Sequence, residues 1–316
     1  MAILKIKWLT PSDSAKYVGA PYTRAGFERE VFKLTESSRP LAVGDSPLDS
    51  ASYDALRSSP LGLAEWIVDG DNNLHTPPFE GKSCRIITDL HAKHHYNDPT
   101  WRQYLLRLDN KKYTRVFSRY LGLPGKRNLI RDRGYTWLPW STDTDVFVPK
   151  QKSIDIAFIG RTSPVHYPLR QKMKEYVEGL DPQWKTFVAE SPTGKTFDRL
   201  VENNLAGERY ASILSKARIV VFDCSVYKYP LQKFFEGIAS GCVVLSTRPI
   251  GAEELGLIDC ETYVNVNKGN WEGAIDYWLG EHSECAKISN KARELAVNKH
   301  SHRVRAEQFV EELRKW

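Results

Sequence analysis

The 316-residue chain has no apolar run approaching the roughly 20 residues needed to cross a bilayer. Its first ten residues, MAILKIKWLT, hold neither a signal-peptide core nor a cleavage site. Cysteine is scarce: Cys84, Cys224, Cys242, Cys260 and Cys285 are odd in number, far apart and form no CxxC pair. That argues against a disulfide frame or a zinc ribbon and for a reducing compartment. No GxGxxG follows any strand-like run, which argues against a dinucleotide oxidoreductase. There is no tandem repeat and no low-complexity tract. Together these absences point to a cytoplasmic protein without a membrane span.

What is present suits two domains of ordinary length, with 41% apolar residues for their cores. The net charge is +6, yet residues 111 to 133 alone carry +7, with eight lysines and arginines against Asp132. Tyr113, Phe117, Tyr120, Tyr135, Trp137 and Trp140 are interleaved with them or follow closely. Cations mixed with aromatic faces suit a phosphate-rich partner or, more simply, a solvated surface.

Strand-like and helix-like segments alternate through both halves. The first half reads as strands at 2–8, 40–44, 84–88, 113–118 and 135–138, with helices at 24–35 and 98–108. The run 113–118 fits either state, and the βα alternation favours a strand. The polar, proline-bracketed stretch PWSTDTDVFVPKQKS reads as a linker. The second half reads as strands IDIAFIG, WKTFVAE, RIVVFD, CVVLS and TYVNV, separated by helices and followed by helices from Trp271, Cys285 and His302. Apolar strands between helices indicate parallel sheets covered on both faces. Two doubly wound α/β domains facing a cleft are expected, with ligands at the carboxyl ends of the strands.

One helix stands out. In YPLQKFFEGIASGCVVLSTRPIGAEELGL, Lys233 and Glu236 sit in the first turns after Pro230. A helix start presents free N–H groups and a positive dipole end, where anions bind. Two other patterns compete. AESPTGKT (189–196) is a relaxed phosphate loop lacking its first glycine, with Asp223 placed like a magnesium ligand, so a P-loop nucleotide hydrolase is the alternative function. DGD (69–71) and DTD (143–145) resemble a metal-binding DxD, but Asp143 suits a turn better.

The motifs FIGR, SKARIVVFDCS, YPLQKFFEGIASGCVVLSTRPIGAEELGL and KHSHRVRAEQF, in that order, resemble the GT-B glycosyltransferases, in particular the CgeB-like, group 1 members. The resemblance covers roughly residues 135–310; the first half is similar only through TDLHAKHHYND and WLPWSTD. It implies an acceptor-side domain over 1–148, a nucleotide-sugar domain over 149–299, and a terminal helix over 300–316 that crosses back. It further implies a UDP-linked sugar nucleotide as co-substrate, with no metal and no resident cofactor. Glu236 would accept hydrogen bonds from the ribose hydroxyls, and the amides around Leu231 to Lys233 would hold the diphosphate. Gly160 and Arg161 after the first strand, Tyr229 in the YPL loop, Lys233 itself and Glu254 complete the implied donor set. Lys233 and Glu254 also fit plain surface roles. Many retaining relatives carry a glutamate where this chain has Lys228.

On the acceptor side, Asp89 and His91 are the candidate bases for an acceptor hydroxyl, with His94 beside them. His91 and His95 also have a zinc-compatible spacing, and all of these residues fit a polar loop. Lys111, Lys112, Arg115 and Arg119 would position a polyanionic backbone, with Tyr120 or Trp137 stacking on a base. DNA with hydroxylated bases is then one acceptor, beside cell-surface polymers and small glycosides.

Overall fold

The computed structural model describes residues 5–11, 24–37, 41–43, 66–69, 82–87, 90, 101–110, 113–190 and 207–316. The chain divides into two compact units. The first contains Met1–Gly122, Asn128–Pro139 and Ala306–Trp316; the second contains Leu123–Arg127 and Trp140–Arg305.

Among the described residues the first unit holds a seven-stranded sheet. Its strands are β1 (Lys5–Pro11), β2 (Glu36–Ser37), β3 (Leu41–Val43), β4 (Trp66–Asp69), β5 (Lys82–Ile87), β6 (Arg115–Ser118) and β7 (Thr136–Trp137). The order is β2-β1-β4-β5-β6-β7, with β3 also on β1, and every pairing is parallel. The ambiguous run 113–118 is therefore a strand, whereas WIVD (β4) escapes a periodicity reading because four residues are too few to show one. Helices α1 (Arg24–Leu34) and α2 (Trp101–Asn110) belong to this unit. The core joins Ile6, Phe27, Trp66, Val68, Cys84 and Phe117 to Phe309, Val310 and Leu313 of the terminal helix. The Phe309 ring lies 5.7 Å from that of Phe27 and 4.9 Å from that of Phe117.

The second unit is a five-stranded parallel sheet of β8 (Ile154–Gly160), β9 (Thr186–Glu190), β10 (Ala217–Phe222), β11 (Val243–Ser246) and β12 (Val264–Asn265), in the order β12-β11-β10-β8-β9. Helices α3 (Arg170–Glu178), α4 (Gly207–Lys216), α5 (Gln232–Ala239), α6 (Trp271–Gly280) and α7 (His282–Lys299) follow the strands. The last helix, α8 (His302–Arg314), begins in this unit. All six residues of β10 are buried, which is why ARIVVF reads as one block without alternation. From β8 the chain moves outward to β9 and then returns to the far side of β8 to lay down β10. This reversal makes the β8/β10 carboxyl ends the switch point where an open parallel sheet offers a crevice.

Residues 139–153 differ from the expected linker. From Trp140 onward they belong to the second unit, and Thr142 and Phe147 are fully buried. The polar side chains that suggested a linker serve turns: Asp143 accepts from the Asp145 N–H at 3.1 Å, so this half of DTD closes a turn. Arg293 of α7 collects the carbonyls of Thr144 (2.9 Å), Phe147 (2.7 Å) and Ala239 (2.6 Å). Lys152 donates to Ser215 O at 3.1 Å and Ser240 O at 2.9 Å, satisfying carbonyls at the ends of α4 and α5.

Helix α5 lies so close to the sheet that Gly237 has no room for a side chain. A Cβ there would meet Val244 Cγ2 at 2.8 Å and Val220 Cγ1 at 3.1 Å. Alanine is normally favoured over glycine in a helix by about 1 kcal/mol. Here Gly237→Ala is expected to destabilise by about 1–3 kcal/mol through overpacking, seen as a lower urea midpoint at unchanged slope. A stabilised variant would mean that Val244 and Val220 have slack.

Candidate functional site

The site builds from the end of β8. Gly160, the last residue of that strand, has φ +154, and a Cβ on it would meet Lys233 Nζ at 2.8 Å and Arg170 Nη1 at 3.3 Å. The backbone conformation favours glycine, and both cationic side chains reach the space that a Cβ would take. Lys233 reaches from the first turn of α5 to donate to the Ile159 carbonyl, with its ammonium 5.5 Å from the Phe222 ring centre. The adjoining Leu231 is extended (φ −64, ψ 151), so α5 starts with a sharp entry, and its first amides are those available to an anion.

Beneath this lies a buried ion pair. Arg170, at the start of α3, donates from Nε to Asp223 Oδ1 at 3.0 Å and from Nη2 to Asp223 O at 2.7 Å. Its Nη1 donates to Arg161 O at 3.3 Å, and the guanidinium lies 3.5 Å from the Tyr167 ring centre. The other Asp223 oxygen accepts from Leu169 N at 3.1 Å. Both Asp223 carboxylate oxygens are thus engaged, one by Arg170 and the other by a backbone amide. The phosphate-loop residues beyond Glu190 lie outside the described residues. Glu190 itself accepts from Thr162 Oγ1 and, at 3.0 Å, from Lys174.

Glu236 is 7% exposed, and Oε2 accepts a 2.8 Å hydrogen bond from the hydroxyl of Tyr210, itself buried on α4. Burial pushes the Glu236 carboxyl up to about 7, opposed by the Tyr210 hydrogen bond and by the Lys233 charge. Burial, followed by the charge of Arg170, pulls the Lys233 ammonium down to about 7. One helical turn thus presents a base and an acid that both exchange protons near neutrality. An anion on Lys233 and hydroxyl donors on Glu236 would each favour the charged form.

The loop from β10 to α5 is shaped by two left-handed residues, Ser225 (φ 77) and Lys228 (φ 52). Tyr229 N donates to Cys224 O at 3.1 Å, and Ile250 N to Lys228 O at 2.8 Å. The Tyr229 side chain is buried, its ring stacked 5.5 Å from that of Tyr227. The Arg161 side chain is exposed. Glu254 is held by Arg127 at 2.9 Å, and Arg127 also reaches Glu253 at 3.4 Å.

The expected acceptor-side residues fare differently. Asp89, His91, His94, His95, Lys111 and Lys112 lie outside the described residues. Arg119, expected on a polyanion-facing surface, is instead 3% exposed; it donates to Leu138 O at 3.3 Å and Pro139 O at 3.2 Å and packs over the Phe27 ring. Arg115 stacks 4.2 Å from the Trp316 ring centre and lies 3.9 Å from Glu312. Arg133 pairs with Asp109. Tyr120 is buried, and Trp137 Nε1 donates to Arg119 O at 3.3 Å. Much of the basic segment serves packing and ion pairs, so its net charge overstates the field available to a ligand. Tyr210 and Arg170 are the site residues that sequence reading missed. Both sit on helices whose periodicity reports only a buried face. Among the described residues, no three His, Cys, Asp or Glu side chains are placed to hold a metal ion.

Residues 161–311 match the family model described as glycosyl transferase-like. The fold is that of the GT-B glycosyltransferases. Sucrose-phosphate synthase from Thermosynechococcus elongatus is similar at TM-score 0.71 and 13% identity, over 99% of this chain and 98% of that one. Anabaena HepE, solved in complex with UDP and glucose, is similar at TM-score 0.65 and 11% identity, over 99% and 100%. A glycosyltransferase from Rickettsia africae ESF-5 is similar at TM-score 0.64 and 12% identity, over 100% and 99%. No curated protein matches the sequence.

The raised Glu236 carboxyl has a consequence for stability. Below its unfolded value near 4.5 the group is protonated in both states and imposes no charge penalty. As pH rises to about 7 the folded state retains a proton that the unfolded state has lost, so stability falls through that window. Glu236→Gln should therefore match the wild type near pH 4.5 and exceed it by about 3 kcal/mol above pH 7 in urea titrations. Parallel pH profiles would show that folding does not shift the Glu236 carboxyl.

Proposed function

We propose that the chain is a glycosyltransferase of the CgeB-like group that takes its sugar from a UDP-linked donor bound on the second unit. The observation that carries this reading is the convergence, at the β8/β10 switch point, of Gly160, the α5 amides and Lys233 beside the buried Glu236–Tyr210 pair. The diphosphate lies at the start of α5, against Lys233 and Arg161, and Glu236 accepts from the ribose diol. The match of residues 161–311 to a glycosyl transferase-like model and the UDP and glucose bound to HepE support the assignment.

In the reaction an acceptor hydroxyl forms a bond to the anomeric carbon while the bond from that carbon to the diphosphate oxygen breaks. The hydroxyl proton passes to a base, for which Asp89 and His91 have the right chemistry. The nucleoside diphosphate departs with the electron pair. Charge growing on it is met by Arg161, Lys233 and the helix dipole, groups already in position, which is where electrostatic catalysis gains most.

A thermal-shift titration with UDP-glucose and UDP tests donor binding; ligand at a hundredfold excess over Kd should stabilise by about 2.7 kcal/mol. Glu236→Ala and Arg161→Ala should each weaken binding by roughly 10- to 100-fold while the protein stays folded. Lys195→Ala should leave binding intact, and an essential Lys195 with a dispensable Glu236 would overturn the reading in favour of a phosphate-loop enzyme.

Because side chains and a helix end neutralise the leaving group, turnover is expected to persist in EDTA. Complete loss of activity with recovery on adding manganese would show that a metal does that work instead.

A further inference from the structure

Two cations lie against the same backbone atom. A Cβ on Gly160 would touch both Lys233 Nζ and Arg170 Nη1, so the two groups flank one residue from α5 and from α3. Arg170 is fixed on every side. Asp223 takes Nε and Nη2, Tyr167 covers the guanidinium face, and the third nitrogen holds Arg161 O. Lys233 has no such carboxylate clamp; its hydrogen bond goes to the Ile159 carbonyl. The charged groups facing it are Arg170 from α3, Asp223 beyond β10, and Glu236 on its own helix. Burial and Arg170 disfavour its proton, and Glu236 and Asp223 favour it less strongly.

We propose that Arg170 is a positioning residue of the donor site: it holds the Gly160–Arg161 peptide and sets its own charge beside Lys233, so that docking of an anion is coupled to the charge state of the lysine. The inference rests on the donor reading above and deepens it, since it makes donor binding a proton-coupled event. In the empty site a guanidinium and an ammonium beside the same residue repel at close range, which disfavours the lysine's proton. A diphosphate placed over Gly160 reverses that balance, and Lys233 takes a proton from solvent as the ligand docks. Charge matching at the moment of binding favours a diphosphate over a monophosphate or a neutral sugar. Glu236 shares the site and its carboxyl is pushed up by burial, so Glu236→Gln is titrated beside the wild type to isolate the lysine.

Calorimetric titration of UDP at pH 8, in two buffers of different ionisation enthalpy, reads the proton directly. The wild type should take up about one proton per UDP bound. Lys233→Arg, which is charged throughout, should still bind UDP with no uptake. Arg170→Gln combined with Asp223→Asn should bind roughly tenfold more weakly with reduced uptake. Arg170→Lys keeps the charge but not the fork, so it should retain the uptake and lose affinity. That variant decides the matter if the double variant does not fold. Full uptake in Lys233→Arg, or wild-type affinity in Arg170→Lys, would overturn the proposal while leaving the donor site standing. Absence of UDP binding to the wild type would instead remove the donor reading, and this inference with it.

Discussion

The buried pair of Arg170 and Asp223 is the contact on which the geometry of the second unit's site depends. Ladder hydrogen bonds hold β8 and β10 in register, but the chain leaves the sheet beyond both strands. Arg170 ties those segments together, bridging the backbone after β8 to both the carboxylate and the carbonyl beyond β10. A lone arginine so buried would be prohibitive, and removing one partner of such a pair typically costs about 3–5 kcal/mol. Around that pair, Lys233 and Arg170 flank Gly160, and α5 is entered through the extended Leu231.

The same burial that makes the site rigid makes it responsive. Lys233 and Glu236 occupy one helical turn, and each is held near its exchange point by desolvation, the first pulled down and the second pushed up. Neither group needs an exotic partner for this; low dielectric and fixed neighbours suffice. A ligand carrying an anion and a diol supplies what each group lacks, so recognition and charge restoration are one process.

Charge elsewhere in the chain teaches a different lesson. Arg119 spends its guanidinium on two carbonyls and a phenyl face, Arg115 on an indole and a carboxylate, Arg127 on Glu253 and Glu254. A cluster of cations in sequence is a statement about composition, whereas a field at the surface depends on which of them remain in water. The terminal helix adds to this by packing Phe309 and Leu313 into the first unit's core, with Glu312 near Arg115.

The strands of the second unit, the Gly–Arg pair that ends β8 and the paired Lys233 and Glu236 were legible in the sequence, whereas β2 and β4 of the first unit were not. Each legible feature is a local pattern: an apolar run bounded by turns, or charged residues at a helix start. Tyr210, Arg170 and Asp223 as site builders were not legible. Their partners lie 26 or 53 residues away, and nothing in a helix period or a strand run encodes which distant atom a side chain will meet. The stretch 139–153 shows the converse, since its polar composition reads as a linker until Arg293, far along the chain, gathers its carbonyls. The sequence alone determined the elements and the helix turn that bears the chemistry. The tertiary structure decided which charges are buried, and burial is what moves a lysine and a glutamate to the edge of ionisation.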